Sequence, residues 1–225
     1  GHSINTTRKT LGGFGTQTAA LIVGGEPGPG ALTETYDGTT WTEVGDLTTA
    51  APNFGGACGT TTAGLCISGD RGGISVLNEE WNGTSWTESG DVNAARKEAG
   101  GLGTQTAAIF AGGNPSSALS ETYDGSTWTE GNNINTARLY MAAAGTSTAG
   151  LLAGGSTTET ETETYDGSSW TEVSDLTTGR GELSSSINAP STFTLVFGGS
   201  PPTTGKTEIW DGSSWTEVAD LATAR

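Results

Sequence analysis

Histidine is almost missing from this chain, which contains only His2, in a Gly-His-Ser start typical of a cloning remnant. Without a second histidine there is no Ser-His-Asp triad, no Cys-His pair and no histidine-based metal site. We therefore expect a protein that is not an enzyme and that carries no cofactor or metal.

Basic residues are also scarce, because nine lysines and arginines face 25 acids, a formal net charge of −16. Eighteen of those acids occupy fixed positions in a repeat, so the charge is a property of the scaffold. It disfavours nucleic acid and anionic membrane as partners.

Long hydrophobic runs are absent, and no charged, apolar and small-residue succession opens the chain as a signal peptide would. We expect no membrane insertion.

Cysteine is limited to Cys58 and Cys66, which occupy apolar positions of the second repeat. They are predicted to be buried thiols, although neighbouring strands could also bring them close enough for a disulfide. Their redox state and the compartment stay open.

What the chain has in abundance is repetition. The segment Tyr36-Asp37-Gly38-Thr39-Thr40-Trp41-Thr42-Glu43 recurs from Trp81, Tyr123, Tyr165 and Trp210. The second aromatics of the five copies are 45, 42, 42 and 45 residues apart. A period of this length is one supersecondary unit.

The third copy shows the content of one unit. Ala99–Gly103 and Ala107–Ala111 predict two strands, A and B, joined by a polar turn. Glu121–Tyr123 and Trp128–Glu130 predict strands C and D around an Asp-Gly turn. Four antiparallel strands per unit, without helical periodicity, predict an all-β, five-bladed β-propeller.

The even repetition favours a single domain over residues 1–225. The predicted blades span about 5–47, 48–92, 93–134, 135–176 and 177–221. Ile4–Arg8 and Leu221–Arg225 occupy the same phase of the repeat, so a closed ring would bring both to one junction. Closure would then rest on packing alone, or the chain would be part of a longer array.

A further pattern is the Gly112-Gly113 pair, an aromatic ten residues later at Tyr123, Trp128 five further on, and Arg138 opening the next copy. In this succession the chain resembles the kelch repeat, from about residue 4 onward. The resemblance implies a β-propeller that acts as a binding scaffold.

Successive strands of an antiparallel blade run in opposite directions, so the B-C loops and the D-A linkers lie on one face of the propeller. The B-C loops vary between copies, as a recognition surface does, although drift in unconstrained loops would give the same pattern. They are Glu26 to Ala31, Asp70 to Leu77, Asn114 to Ser120, Ser156 to Thr160 and Ser200 to Lys206.

Candidate binding residues on this face include four linker arginines, an arginine of the second B-C loop and an aromatic unique to the fourth copy. The alternative is that each linker arginine pairs with a repeated Asp or caps the backbone of a neighbouring blade. The kelch resemblance implies that arginines of this face bind acidic peptides. The candidates are Arg8, Arg96, Arg138, Arg180, Arg71 and Tyr140.

We therefore expect a non-catalytic, monomeric scaffold that presents the B-C and D-A loops to a protein or glycan ligand. Near-identical copies rich in Thr and Gly fit an extracellular or virion-surface adhesin of phage or bacterial type. The alternatives are a structural module of a longer array and, further away, a glycoside hydrolase, since paired carboxylates can cleave sugars.

Overall fold

The computed structural model describes residues 3–156 and 159–225, which form twenty strands in five sheets. His2 and two residues of the fourth variable loop, Thr157 and Thr158, lie outside the described residues. Within the described ranges, no helix is long and apolar enough to cross a membrane.

The strands follow the repeat in chain order. The first three blades comprise β1 (Gly12–Thr16), β2 (Ala19–Val23), β3 (Thr33–Tyr36), β4 (Trp41–Glu43), β5 (Asn53–Thr60), β6 (Ala63–Asp70), β7 (Ile74–Trp81), β8 (Trp86–Ser89), β9 (Gly100–Thr104), β10 (Ala107–Ala111), β11 (Ser120–Tyr123) and β12 (Trp128–Glu130). The last two comprise β13 (Ala142–Thr146), β14 (Ala149–Gly155), β15 (Glu159–Tyr165), β16 (Trp170–Glu172), β17 (Ser184–Ser185), β18 (Thr194–Phe197), β19 (Thr207–Trp210) and β20 (Trp215–Glu217).

Each sheet is an antiparallel meander of four consecutive strands, and the first strand of every sheet lines a common central channel. This arrangement confirms the predicted five-bladed β-propeller. The first strand of the fifth blade, β17, has only two residues, because the chain leaves the sheet at Ser186 to form an inserted loop over 186–193.

The turn between strands C and D recurs in every blade because its first side chain accepts hydrogen bonds from the backbone of the turn. In the third blade, Oδ1 of Asp124 accepts hydrogen bonds from the backbone N–H groups of Ser126 and Thr127. These bonds lower the pKa of Asp124 to about 2, with the Thr127 N–H as the largest cause. Asn82 makes the same two backbone contacts in the second blade, so the turn requires an acceptor oxygen rather than a charge.

The turn fixes the register of the aromatic pair in each blade. Tyr123 and Trp128 lie directly opposite each other, with their ring centroids 4.8 Å apart. The equivalent rings of the other blades are 4.9–5.4 Å apart. From the second blade onward, the pair packs into the core formed with the preceding blade, as Trp81 and Trp86 do with Phe14.

The two cysteines are free and buried, on opposite sides of the second blade. Cys66 packs toward the first blade in the cluster of Phe14, whereas Cys58 packs toward the third blade in the cluster of Phe110. Burial raises the pKa of both thiols to about 12. They replace core residues, as predicted, and the alternative of a disulfide is wrong because successive side chains of a strand pair face opposite sides.

Glycine is required where the innermost strands meet. A Cβ on Gly101 of β9 would lie 2.8 Å from the backbone nitrogen of Ala57 and 3.1 Å from Cα of Gly56, both on β5. Backbone atoms cannot move aside as a flexible side chain can. The radius of the channel is therefore set by backbone-to-backbone contact.

We expect Gly101→Ala to destabilise the protein by about 1–3 kcal/mol, because the added methyl overpacks the β5–β9 contact. Gly131→Ala is the matched control, since its nearest neighbour would be the carbonyl oxygen of Ser120 at 3.7 Å. Urea unfolding of both variants measures the difference. Equal midpoints would show that the inner strands are not in tight contact.

Candidate functional site: the mouth of the central channel

The D-A linkers and the two segments in the same phase at either end of the repeats are here called straps. The first five end where an innermost strand begins, beside the loop that follows strand B, as the bridges Lys9–Glu26 and Lys97–Asn114 show. Straps and B-C loops therefore share one face. The straps are residues 4–8, 47–51, 92–96, 134–138, 176–180 and 221–225.

Four strap arginines lie inside the protein and pair with the glutamate of strand C. Arg138 and Glu163 are 2.8 Å apart, with side-chain exposures of 0% and 1%. The same pairing joins Arg8 to Glu34, Arg96 to Glu121 and Arg180 to Glu208. The partner is the repeated glutamate two residues before the first aromatic, and not the repeated aspartate that sequence analysis considered.

In the second blade, the arginine that pairs with the strand C glutamate comes from the B-C loop. The strap of this blade has Ala51 where the others have arginine, and Arg71 reaches in from the B-C loop. Nη1 of Arg71 lies 2.6 Å from Oε1 of Glu79 and donates to the carbonyl oxygen of Thr49 in the strap. Arg71 is thus the fifth member of the same set.

The backbone of each of the first five straps also donates a hydrogen bond to the glutamate of strand C. The backbone N–H of Asn135 donates to Oε2 of Glu163 at 2.8 Å, and Nη1 of Arg138 donates to the carbonyl oxygen of Glu161. Burial lowers the pKa of Arg138, and the nearby Glu163 opposes this shift. A ligand could reach these guanidinium groups only by breaking the pairs that hold the straps.

Two residues after the strap arginine position, the five copies place a polar side chain at the mouth of the channel. These five residues, here called the rim, line a cavity of about 560 Å³ together with the residues below them. The rim consists of Thr10, Asn53, Glu98, Tyr140 and Glu182.

The backbone of the rim is unusual. Thr10, Glu98, Tyr140 and Glu182 have φ values of 55°, 59°, 59° and 54°, in the left-handed region that non-glycine residues rarely adopt. Neighbouring rim residues are joined by backbone bonds, from the N–H of Tyr140 to Glu98 and from the N–H of Glu182 to Tyr140. Strain of this kind persists only where the surroundings impose it, and it clusters at functional sites.

The rim is mainly a hydrogen-bond-accepting surface. Side-chain amides of Asn53 and Asn114 donate to the two oxygens of the buried Glu98 carboxylate, at 3.1 and 3.0 Å. Burial, followed by the neighbouring carboxylate of Glu98, raises the pKa of Tyr140 to about 12. Tyr140 is therefore a neutral aromatic hydroxyl at physiological pH, while Glu182 is solvent-exposed.

Below the rim the channel becomes apolar and then very narrow. The next position of each copy supplies an apolar neck, and glycine, alanine and serine line a bore of about 330 Å³ beneath it. The neck residues are Leu11, Phe54, Ala99, Met141 and Leu183.

The inserted loop of the fifth blade lies across the opposite end of the bore. Ile187 lines the bore and packs against the core between the first and second blades. Nδ2 of Asn188 donates to the carbonyl oxygens of Gly15 and Gly59, at 3.1 and 3.2 Å. The channel is thus a funnel whose far end is crossed by this loop.

Of the rim residues, sequence analysis identified only Tyr140. A signal for the others existed, because this is a fixed phase of the repeat at which the copies carry Thr, Asn, Glu, Tyr and Glu. Within the part of the chain that the structure describes, no group of three or more His, Cys, Asp or Glu could hold a metal ion. No protein-family model and no curated protein matches this chain.

We expect Arg138→Ala to cost about 3–5 kcal/mol of stability, because it leaves the buried Glu163 carboxylate without its cation. Lys9→Ala is the control, since Lys9 pairs with Glu26 at 3.5 Å on the surface and should contribute little. Thermal unfolding at neutral pH measures both. Equal melting temperatures would contradict the structural role given to the strap arginines.

Proposed function

We propose that this protein is a non-catalytic, kelch-like recognition scaffold that binds a protein or glycan ligand at the funnel mouth. β-Propellers commonly serve as binding scaffolds, and function on such a fold depends on its particular site. The site proposed here is the rim with the neck beneath it.

The observation that carries the proposal is the variety of the rim within an otherwise repeated framework. The Glu of strand C occurs in all five copies, and an arginine meets each one. The rim position, by contrast, changes from blade to blade although the same backbone conformation holds it in four of them. A fixed scaffold that presents different side chains around one cavity suits the recognition of an asymmetric ligand.

The chemistry of the rim suits a ligand rich in hydrogen-bond donors. Glu98 and Glu182 supply carboxylate oxygens, Asn53 an amide, and Tyr140 a hydroxyl on an aromatic ring that can stack on a sugar. Leu11, Phe54 and Met141 would contact an apolar group that enters the neck. Sugar rings and the polar ends of peptides combine these features.

A binding role also agrees with the state of the rim carboxylates. Both oxygens of Glu98 already accept hydrogen bonds from amides, so this group is a fixed acceptor. Glycoside hydrolysis requires two carboxyl groups of different character, one of them a proton donor. In the proposed binding role, Glu98 serves only as a hydrogen-bond acceptor.

Screening on a glycan array and on a displayed peptide library tests the proposal with three proteins. Tyr140→Ala/Glu182→Ala should reduce the affinity of any selected ligand at least about tenfold, equivalent to about 1.4 kcal/mol. The control, Thr62→Ala/Thr148→Ala, changes exposed residues of the A-B turns on the opposite face and should bind as the unaltered chain does.

If binding survives the rim substitutions and is lost in the control, the ligand binds to the opposite face of the propeller. If the protein hydrolyses fluorogenic glycosides and Glu182→Gln abolishes this activity, the protein is a glycoside hydrolase and the proposed non-catalytic function is wrong.

A further inference from the structure

The joint between the fifth and first blades differs from the other four. Each of those four has a buried cluster that contains residues of two consecutive blades. No such cluster joins blade five to blade one within residues 3–156 and 159–225. Instead, a cleft of about 820 Å³ lies between them, lined largely by apolar residues such as Ile22, Leu195 and Phe197. We call this joint the seam.

Side chains that are buried in the regular joints are only half-buried at the seam. The tryptophans equivalent to Trp41 are 4–6% exposed, and the residues equivalent to Ile22 are fully buried, whereas Trp41 and Ile22 are both intermediate. On the other side, Leu195 and Phe197 are intermediate, although their equivalents in the first blade, Leu21 and Val23, are 0% exposed. Both surfaces of a regular joint are present, but they are less buried than in the other four joints.

One hydrogen bond recurs in three of the four regular joints, and in the fourth the indole N–H of Trp128 has no partner among the described residues. The indole N–H of Trp86 donates to Oγ1 of Thr33 on the preceding blade at 2.9 Å, and Trp215 bonds Thr162 in the same way at 3.0 Å. At the seam, the corresponding pair is Trp41 and Thr207. No bond joins them among the described residues, and the Thr207 hydroxyl donates to the Gly205 carbonyl oxygen instead.

A regular joint is bridged by a single strap. In strap 134–138, the N–H of Ile134 donates to the carbonyl oxygen of Ala118, and the carbonyl oxygen of Arg138 accepts from Gly113. Both contacts are with the preceding blade. The same strap holds Glu163 of the following blade through Asn135 and Arg138. One strap thus binds two blades.

The seam holds two straps, and each makes half of these contacts. Strap 4–8 binds the first blade only, through Asn5 and Arg8 to Glu34. Strap 221–225 binds the fifth blade only, where Leu221 donates to the carbonyl oxygen of Gly205. The two straps occupy the same phase of the repeat, at which each regular joint holds one strap.

We propose that the seam is a joint that closes when strap 221–225 leaves the fifth blade and strap 4–8 takes its position. Strap 221–225 is the one that leaves, because among the described residues backbone hydrogen bonds alone hold it to the fifth blade. Arg8, in contrast, is buried against Glu34. Closure buries Trp41 and Phe197 and forms the bond from Trp41 to Thr207.

The hydrogen bonds of Asn188 allow the seam to close within one molecule. Its bonds from the inserted loop of the fifth blade to Gly15 and Gly59 hold that blade beside the first while the seam is open. The two surfaces are therefore already close, and only the strap exchange separates the open from the closed arrangement.

Disulfide trapping distinguishes the two arrangements. A Cβ on Gly205 would lie 3.7 Å from Cβ of Leu221, which matches disulfide geometry, so L221C/G205C reports the open seam. In the closed seam Ile4 replaces Leu221, so I4C/G205C reports closure. A118C/I134C, at the equivalent place of a regular joint, is the control for oxidation.

We expect I4C/G205C to form an intramolecular disulfide, with a yield that rises several-fold when Leu221→Asp weakens the competing strap. The proposal is overturned if I4C/G205C stays reduced in both backgrounds while the other two pairs oxidise. It is equally overturned if I4C/G205C forms disulfides only between molecules, which would indicate association of copies instead of closure.

Discussion

The buried pair of arginine and glutamate is the interaction on which the remaining architecture depends. The glutamate of strand C accepts both the guanidinium and the N–H groups of the strap, so it fixes the path of the chain between blades. Desolvating two charges is costly, and the hydrogen bonds of the glutamate to the strap offset part of this cost, while the Nε atom of each arginine has no hydrogen-bond partner among the described residues. The second blade shows how strict the requirement is, because Arg71 of a loop replaces the arginine absent at Ala51.

The pair lies close in sequence to the funnel mouth, because the rim residue follows the strap arginine by two positions. Backbone hydrogen bonds from Glu98, Tyr140 and Glu182 to the neighbouring blade hold their left-handed conformation. Side chains at the rim can therefore differ between blades without loss of the framework that presents them.

The sequence allowed prediction of the fold because its signals are local: a period of 42 to 45 residues, an Asp-Gly turn and paired aromatics within five residues of each other. The environment of the arginines could not be predicted in the same way. Arg138 and Glu163 are 25 residues apart on different elements, and their burial depends on how strap and sheet meet. The rim position is visible in the sequence as one phase of the repeat at which the copies differ, but its place at the channel mouth depends on the backbone conformation. The seam depends on how the five joints pack in three dimensions.

The loop across the far end of the funnel restricts what can occupy it. Because Ile187 and Asn188 lie in the way at that end, we expect a bound group to leave by the path on which it arrived. A polymer, whether polysaccharide or polypeptide, can place only a terminus or a protruding side group in the neck. The topology of the channel alone thus discriminates chain ends and branches from the uninterrupted middle of a chain.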